Sequence, residues 1–111
     1  TDDAFIKKLD ETIANNMADS NLNVETLAEI MHMSRSTLYR KIAEITNLSP
    51  NELINISRLK KAAELLKTEN YKIYEVAEIV GYNSATSFGR NFQKQFQMTP
   101  SEYVNSNQSI L

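Results

Sequence analysis

Residues 24–50 read VETLAEIMHMSRSTLYRKIAEITNLSP, and residues 73–100 read IYEVAEIVGYNSATSFGRNFQKQFQMTP. The second stretch is a rough copy of the first. Ala28-Glu29-Ile30 aligns with Ala77-Glu78-Ile79 at an offset of 49 residues. Leu38, Arg40, Ile42, Leu48 and Pro50 align with Phe88, Arg90, Phe92, Met98 and Pro100 at an offset of 50. One residue is therefore inserted between Ile79 and Ser84. A turn absorbs such an insertion, whereas a helix would carry every later side chain off its face. Each copy has apolar residues at helical spacing on both sides of a short break, so each reads as helix, turn, helix.

Working outward from these copies, the cap residues place the boundaries. Asn23 suits the N-cap of a helix over about 24–31, and Glu25 suits its positive end. Val24, Leu27, Ile30 and Met31 form its apolar face. His32-Met33 makes the turn, and Ser34 caps a helix over about 35–46 with Leu38, Ile42 and Ile45 inward. Asn47 ends that helix, because Asn tolerates a left-handed backbone. Ser49-Pro50-Asn51-Glu52 is a capping box with Pro at the first helical position. The helix it opens runs to about Lys67, with Leu53, Ile56, Leu59, Ala63 and Leu66 as its stripe. In the second copy Lys72 replaces Asn23 and is a poor cap, partly offset by Glu75. Ile73, Val76, Ala77 and Val80 face the core, and Gly81 supplies the permissive backbone of the turn. Ser84 starts a helix to about Phe96, with Phe88, Phe92, Gln95 and Phe96 inward or near it. Thr99-Pro100-Ser101-Glu102 opens a short last helix, followed by a polar tail. Upstream, Phe5, Ile6, Leu9, Ile13 and Met17 give an amphipathic helix over 3–17. No segment alternates like a half-buried strand. The predicted fold is all-α with about seven helices: a first helix-turn-helix subdomain over 3–49, a linker helix over 50–67, a second subdomain over 68–105, and a tail over 106–111.

Bulk properties narrow the function. The length of 111 residues allows one domain or two very small ones. No cysteine is present and only one histidine, which excludes a disulfide frame, a thiolate zinc site and a histidine-rich metal site. No apolar run approaches about 18 residues, and TDDAFIKK has no signal-peptide pattern, so a cytoplasmic setting without direct membrane contact is expected. Catalysis needs a base or nucleophile with a partner. His32 lies in a turn without one, and no carboxylates are paired, so the chain reads as a non-enzyme without cofactor.

The net charge of −2 is unevenly spread. Residues 34–67 hold 7 basic and 3 acidic side chains, while residues 1–33 hold 2 basic and 7 acidic. The positive charge sits where a phosphate-binding surface would need it. In a helix-turn-helix the second helix enters the major groove with its N-terminal residues leading, and these must hydrogen-bond base edges. Ser36, Tyr39 and Arg40 meet that need in the first copy, with Arg35, Thr37 and Lys41 placed for the DNA backbone. The equivalent set in the second copy is Ala85, Thr86 and Arg90, with Ser87 and Asn91 on the backbone. Ala85 donates nothing, and Gly89 in mid-helix costs about 1 kcal/mol. The second copy is therefore expected to read less sequence. The helix over 50–67 is about 27 Å long at 1.5 Å per residue, near the roughly 34 Å between successive major-groove faces. Double-stranded DNA is the expected partner. A helical protein-interaction module is the rival reading, although α-solenoids of such repeats want three or more copies.

The segments LAEIMHMSRSTLYRKI, SPNELINISRLKKAAELL and VAEIVGYNSATSFGRNFQKQFQMTPSEY resemble the DNA-binding domain of the AraC/XylS family of bacterial transcription regulators. The resemblance covers about residues 5–104. It implies two homeodomain-like subdomains joined by a long helix, transcription regulation by activation, and RNA polymerase as a further partner. It also implies base contacts from Ser36, Tyr39 and Arg40, and from Ala85, Thr86 and Arg90. Four positions depart from the family: Ile42 where Phe is frequent, Asn47 and Gln97 where Gly is frequent, and Val104 where Arg is common. SRSTLYRKI and RLKKAAELL are similar to the output domains of hybrid two-component regulators. On that resemblance the chain is a C-terminal piece whose sensor and receiver domains lie elsewhere in a longer polypeptide, one that can be membrane-anchored.

Overall fold

Side chains capping backbone N–H groups mark the starts of most helices in this protein. The structure, a computed structural model, describes residues 2–109. Their order is α1 (Asp2–Asn16), α2 (Val24–Ile30), α3 (Arg35–Thr46), α4 (Pro50–Lys67), α5 (Ile73–Ile79), α6 (Ala85–Phe96) and α7 (Pro100–Ser109), with no strand among the described residues. The all-α expectation and its seven helices hold. The chain divides into two compact units between Ser57 and Arg58.

In the first unit α1 packs on α2, and α2 on α3. Phe5, Leu9 and Ile13, one turn apart on α1, join Leu22, Leu27, Ala28, Met31, Leu38, Ile42 and Ile54 in a single core. Asn23 accepts the Thr26 N–H at 3.0 Å and caps α2. Ser34 accepts the Thr37 N–H at 3.2 Å and caps α3. Between them, the Met33 N–H bonds the Ala28 carbonyl at 3.0 Å and the His32 N–H bonds the Glu29 carbonyl at 3.2 Å. This is a Schellman closure, and its left-handed residue is His32 at φ 55°. Asn47 ends α3 at φ 61°, as its side chain predicts.

The second unit repeats the same closure. Tyr82 and Gly81 bond back to Ala77 and Glu78 at 2.9 and 3.1 Å, with Gly81 at φ 98°. Gly81 thus takes the place of His32 and Tyr82 that of Met33. The inserted residue is Asn83, which lies exposed just before the Ser84 cap. Lys72 has no acceptor atom to cap α5, but the Glu75 carboxylate accepts the Lys72 N–H at 2.8 Å. Half of a capping box survives. The core here is Leu59, Ala62, Leu66, Val76, Ala77, Val80, Phe88 and Phe92, all buried. Tilted aromatic contacts run from Tyr82 to Phe88, to Phe92 and to Phe96, and Tyr103 of α7 sits edge-on against Phe92 with centroids 5.5 Å apart. Phe88 and Phe92 are core residues and not a docking face.

Three expectations are corrected. The expected helix over 50–67 is α4, and the two compact units divide within it. Its buried apolar side chains beyond Pro50 are Ile54, Leu59, Ala62 and Leu66: Leu59 and Leu66 hold from the expected stripe, while Leu53, Ile56 and Ala63 are only half-buried. Ile54 serves the first unit and the later three the second, so no single face runs its length. Ile30, expected inward on α2, is exposed, since Ala28 takes the inward place beside Leu27. Finally, α7 continues through Ser109, well into the expected tail of 106–111. Thr99 and Glu102 cap its start reciprocally at 2.8 and 3.1 Å, and no Gly or Pro follows Pro100 to stop it. Residues 110–111 of that tail lie outside the described residues.

Candidate nucleic-acid interface

Helix α3 buries Leu38 and Ile42 completely, which fixes its rotation and turns the opposite face to solvent. On that face Arg35, Ser36, Tyr39 and Arg40 line one open depression. The structure therefore brings together the three residues expected at base edges and one expected at the backbone. Tyr39 is 49% exposed despite its ring.

The remaining backbone candidates of this unit are less free. The Thr37 hydroxyl accepts from Ser34 Oγ at 2.8 Å, within the N-cap. The Lys41 ammonium stands over the Phe5 ring of α1, 5.0 Å from its centroid. Both arginines are also engaged. Arg35 Nη1 lies 3.3 Å from Glu25 Oε1, across the turn, and Arg40 Nη1 lies 3.7 Å from Glu44 Oε1, one helical turn on. These two carboxylates were missed at the level of sequence. The Arg40–Glu44 pair has the i,i+4 spacing that gives a readable signal. The Glu25–Arg35 pair joins two helices, and no spacing rule announces it.

Helix α6 is held the same way, with Phe88 and Phe92 buried and Ala85, Thr86 and Arg90 exposed on the other side. Ser87 is half-buried, and its carbonyl accepts Asn91 Nδ2 at 2.8 Å. Asn91 is thus committed to the helix backbone. A Cβ built on Gly89 would meet nothing within 4 Å, so no neighbour inside the protein demands glycine there. Beneath α6, burial pushes the Tyr82 phenol up to about 12, a rise partly offset by the Arg58 charge. Its hydroxyl stays protonated at neutral pH. Among the described residues no three His, Cys, Asp or Glu side chains group as metal ligands, and no helix is long and apolar enough to cross a membrane.

The sequence profile of a family described as a helix-turn-helix domain matches residues 27–106. Histidine kinase P4 of Formosa agariphila is 39% identical over 104 residues, which are 94% of this chain and 8% of that protein. Several other curated regulators are matched over 26–36% of their length, so the chain spans a small part of these relatives. The regulatory protein SoxS of Salmonella typhimurium is 34% identical over 99 residues, which are 89% of this chain and 88% of SoxS. Among solved structures, the DNA-binding domain of the global transcriptional factor AdpA, in complex with a target DNA, superposes with a TM-score of 0.84 at 26% identity, covering 93% of this chain and 92% of that one.

Proposed function

This chain belongs to the AraC-type helix-turn-helix family of DNA-binding transcription regulators, and from that premise we propose that it reads one duplex with two recognition helices, α3 and α6, in successive major grooves. DNA binding in transcription regulation is its function. The finer reading rests on one observation above the others. The lead residues of α3 form a continuous exposed polar face, backed by Leu38 and Ile42 at complete burial. Arg40 is assigned a bidentate contact to guanine, Ser36 and Tyr39 adjoining base edges, and Arg35, Thr37 and Lys41 the phosphates. In α6 the base contacts go to Arg90, Thr86 and Ala85, and the backbone to Ser87 and Asn91. For Lys41 and Asn91 such contacts require release from Phe5 and from the Ser87 carbonyl.

Around this domain the reading places a longer regulator, cytoplasmic at this end, whose sensor and receiver domains govern when it engages DNA and RNA polymerase to activate transcription. The similarity to a histidine kinase over a small fraction of that protein's length supports a hybrid two-component setting. The domain itself carries out no catalysis and holds no cofactor.

Two measurements test the proposal. Binding to a random-sequence duplex should weaken steeply between about 0.05 and 0.2 M salt, with a log–log slope near −0.9 per phosphate contacted. Substituting Arg40→Ala should cost about 1–3 kcal/mol on a duplex selected in vitro with the wild-type chain. Its melting temperature should hardly change, since the Arg40 side chain is 63% exposed. A variant that unfolds instead would make Arg40 a structural residue.

A further inference from the structure

We infer that Glu44 is a specificity-determining residue of the first half-site, an inference that rests on the DNA reading above. Arg35 and Arg40 are the only arginines before Arg58, both lie on the exposed face of α3, and each is held by a carboxylate. The pairs reach 3.3 and 3.7 Å, with all four side chains 62–68% exposed. Neither pair anchors the fold, since exposed ion pairs of this kind contribute little to stability.

The second unit lacks both carboxylates. At the aligned places of Glu25 and Glu44 stand Tyr74 and Lys94. No Asp or Glu occurs anywhere in α6, and Arg90 makes no ion pair among the described residues. The same scaffold therefore presents two opposite charge designs, with guarded arginines on α3 and an unguarded Arg90 and Lys94 on α6.

The physical consequence is discrimination. Phosphate is offered by every duplex whatever its sequence, and salt screens its attraction for a guanidinium. A carboxylate beside each arginine cancels much of that attraction. Guanine in the correct register offers Arg40 two aligned acceptors, a closer match than its single Nη1–Oε1 contact to Glu44 at 3.7 Å. Glu44 therefore depresses binding to random sequence more than binding to the correct site, whereas Glu25, beside the phosphate-assigned Arg35, depresses both alike. The α6 half, with no carboxylate to oppose it, supplies sequence-tolerant attraction.

The test compares wild type, Glu44→Gln, Glu25→Gln and Lys94→Glu on two probes across a salt series. One probe is a random-sequence duplex, and the other is a duplex selected in vitro with the wild-type chain. Each Gln variant should raise affinity for the random duplex about two- to fivefold, the energy range of one exposed pair. Its salt slope should steepen by up to about 0.9 for each phosphate newly neutralised. For Glu44→Gln, affinity for the selected duplex should rise less, so the ratio between probes falls; for Glu25→Gln the two probes should rise alike. Lys94→Glu, which sets a carboxylate one turn from Arg90, should do the reverse on the random duplex. Thermal melts confirm that all variants fold. Unchanged random-duplex affinity in Glu44→Gln, or equal rises on both probes for that variant, would overturn the inference. A wild-type chain indifferent to salt would be a different failure, of the DNA reading itself.

Discussion

Single positions in this chain carry backbone roles that side-chain chemistry only partly announces. Among the described residues four non-glycine positions, His32, Asn47, Glu69 and Gln97, have positive φ. Asn47 was legible, since its short amide tolerates that region. Gln97 was not, because nothing in a long amide favours a left-handed backbone, and His32 read only as a turn residue, although histidine is enriched in that region. Their places were fixed by the closure of the preceding helix. The alignment held the clue for His32, since it faces Gly81 in the other copy. Relieving the strain is measurable. Gln97→Gly should stabilise the fold by about 0.5–1 kcal/mol, the left-handed penalty less glycine's unfolded-state entropy. Gly81→Ala, at φ 98°, should destabilise by more than about 1 kcal/mol. Gly89→Ala should stabilise by about 1 kcal/mol, because α6 gains propensity and the new methyl meets nothing within 4 Å. Urea unfolding of the three variants checks all these signs; a destabilised Gly89→Ala would mean that α6 cannot hold a methyl there.

At the scale of elements, helix starts were readable and buried faces less so. Starts depend on residues within one turn: Asn23, Ser34, Ser49, Ser84 and Thr99 all accept the N–H bonds their types predict. Faces depend on neighbours. Helix α4 gives its first half to one core and its second half to another, so no single periodicity describes it. Its opening capping box also sets a pH dependence. The Ser49 backbone N–H, then its hydroxyl, hold Glu52 below the ordinary 4.5, and Thr99 does the same for Glu102. A carboxyl lowered in the folded state stabilises fully above its unfolded value, and this contribution is lost as pH falls through the lowered one. Glutamine at both positions still accepts the N–H bonds but does not titrate. The Glu52→Gln, Glu102→Gln double variant should therefore lose less melting temperature than wild type between about pH 6 and about pH 3. Parallel loss in the two proteins would show that neither box carries the acid sensitivity.

For the whole molecule, the internal repeat was the most legible feature, and the electrostatics the least. Two alignable copies made the paired helix-turn-helix plan visible, because repetition survives divergence wherever core positions must match: Leu38 with Phe88, Ile42 with Phe92. The exposure of Ser36, Tyr39, Arg40, Ala85, Thr86 and Arg90 was legible for the same reason. The engagement of Arg35, Arg40, Lys41 and Asn91 by Glu25, Glu44, Phe5 and the Ser87 carbonyl was not, since three of these four contacts join separate helices or involve the backbone. The central claim is that α3 and α6 occupy successive major grooves of one duplex. Hydroxyl-radical footprinting of the chain on its selected duplex tests it most directly, with Arg40→Ala and Arg90→Ala run alongside. The account predicts two protected windows on one face, about 10 to 10.5 bp apart, each weakened by one of the two substitutions. A single protected window, reduced by Arg40→Ala and untouched by Arg90→Ala, would contradict it.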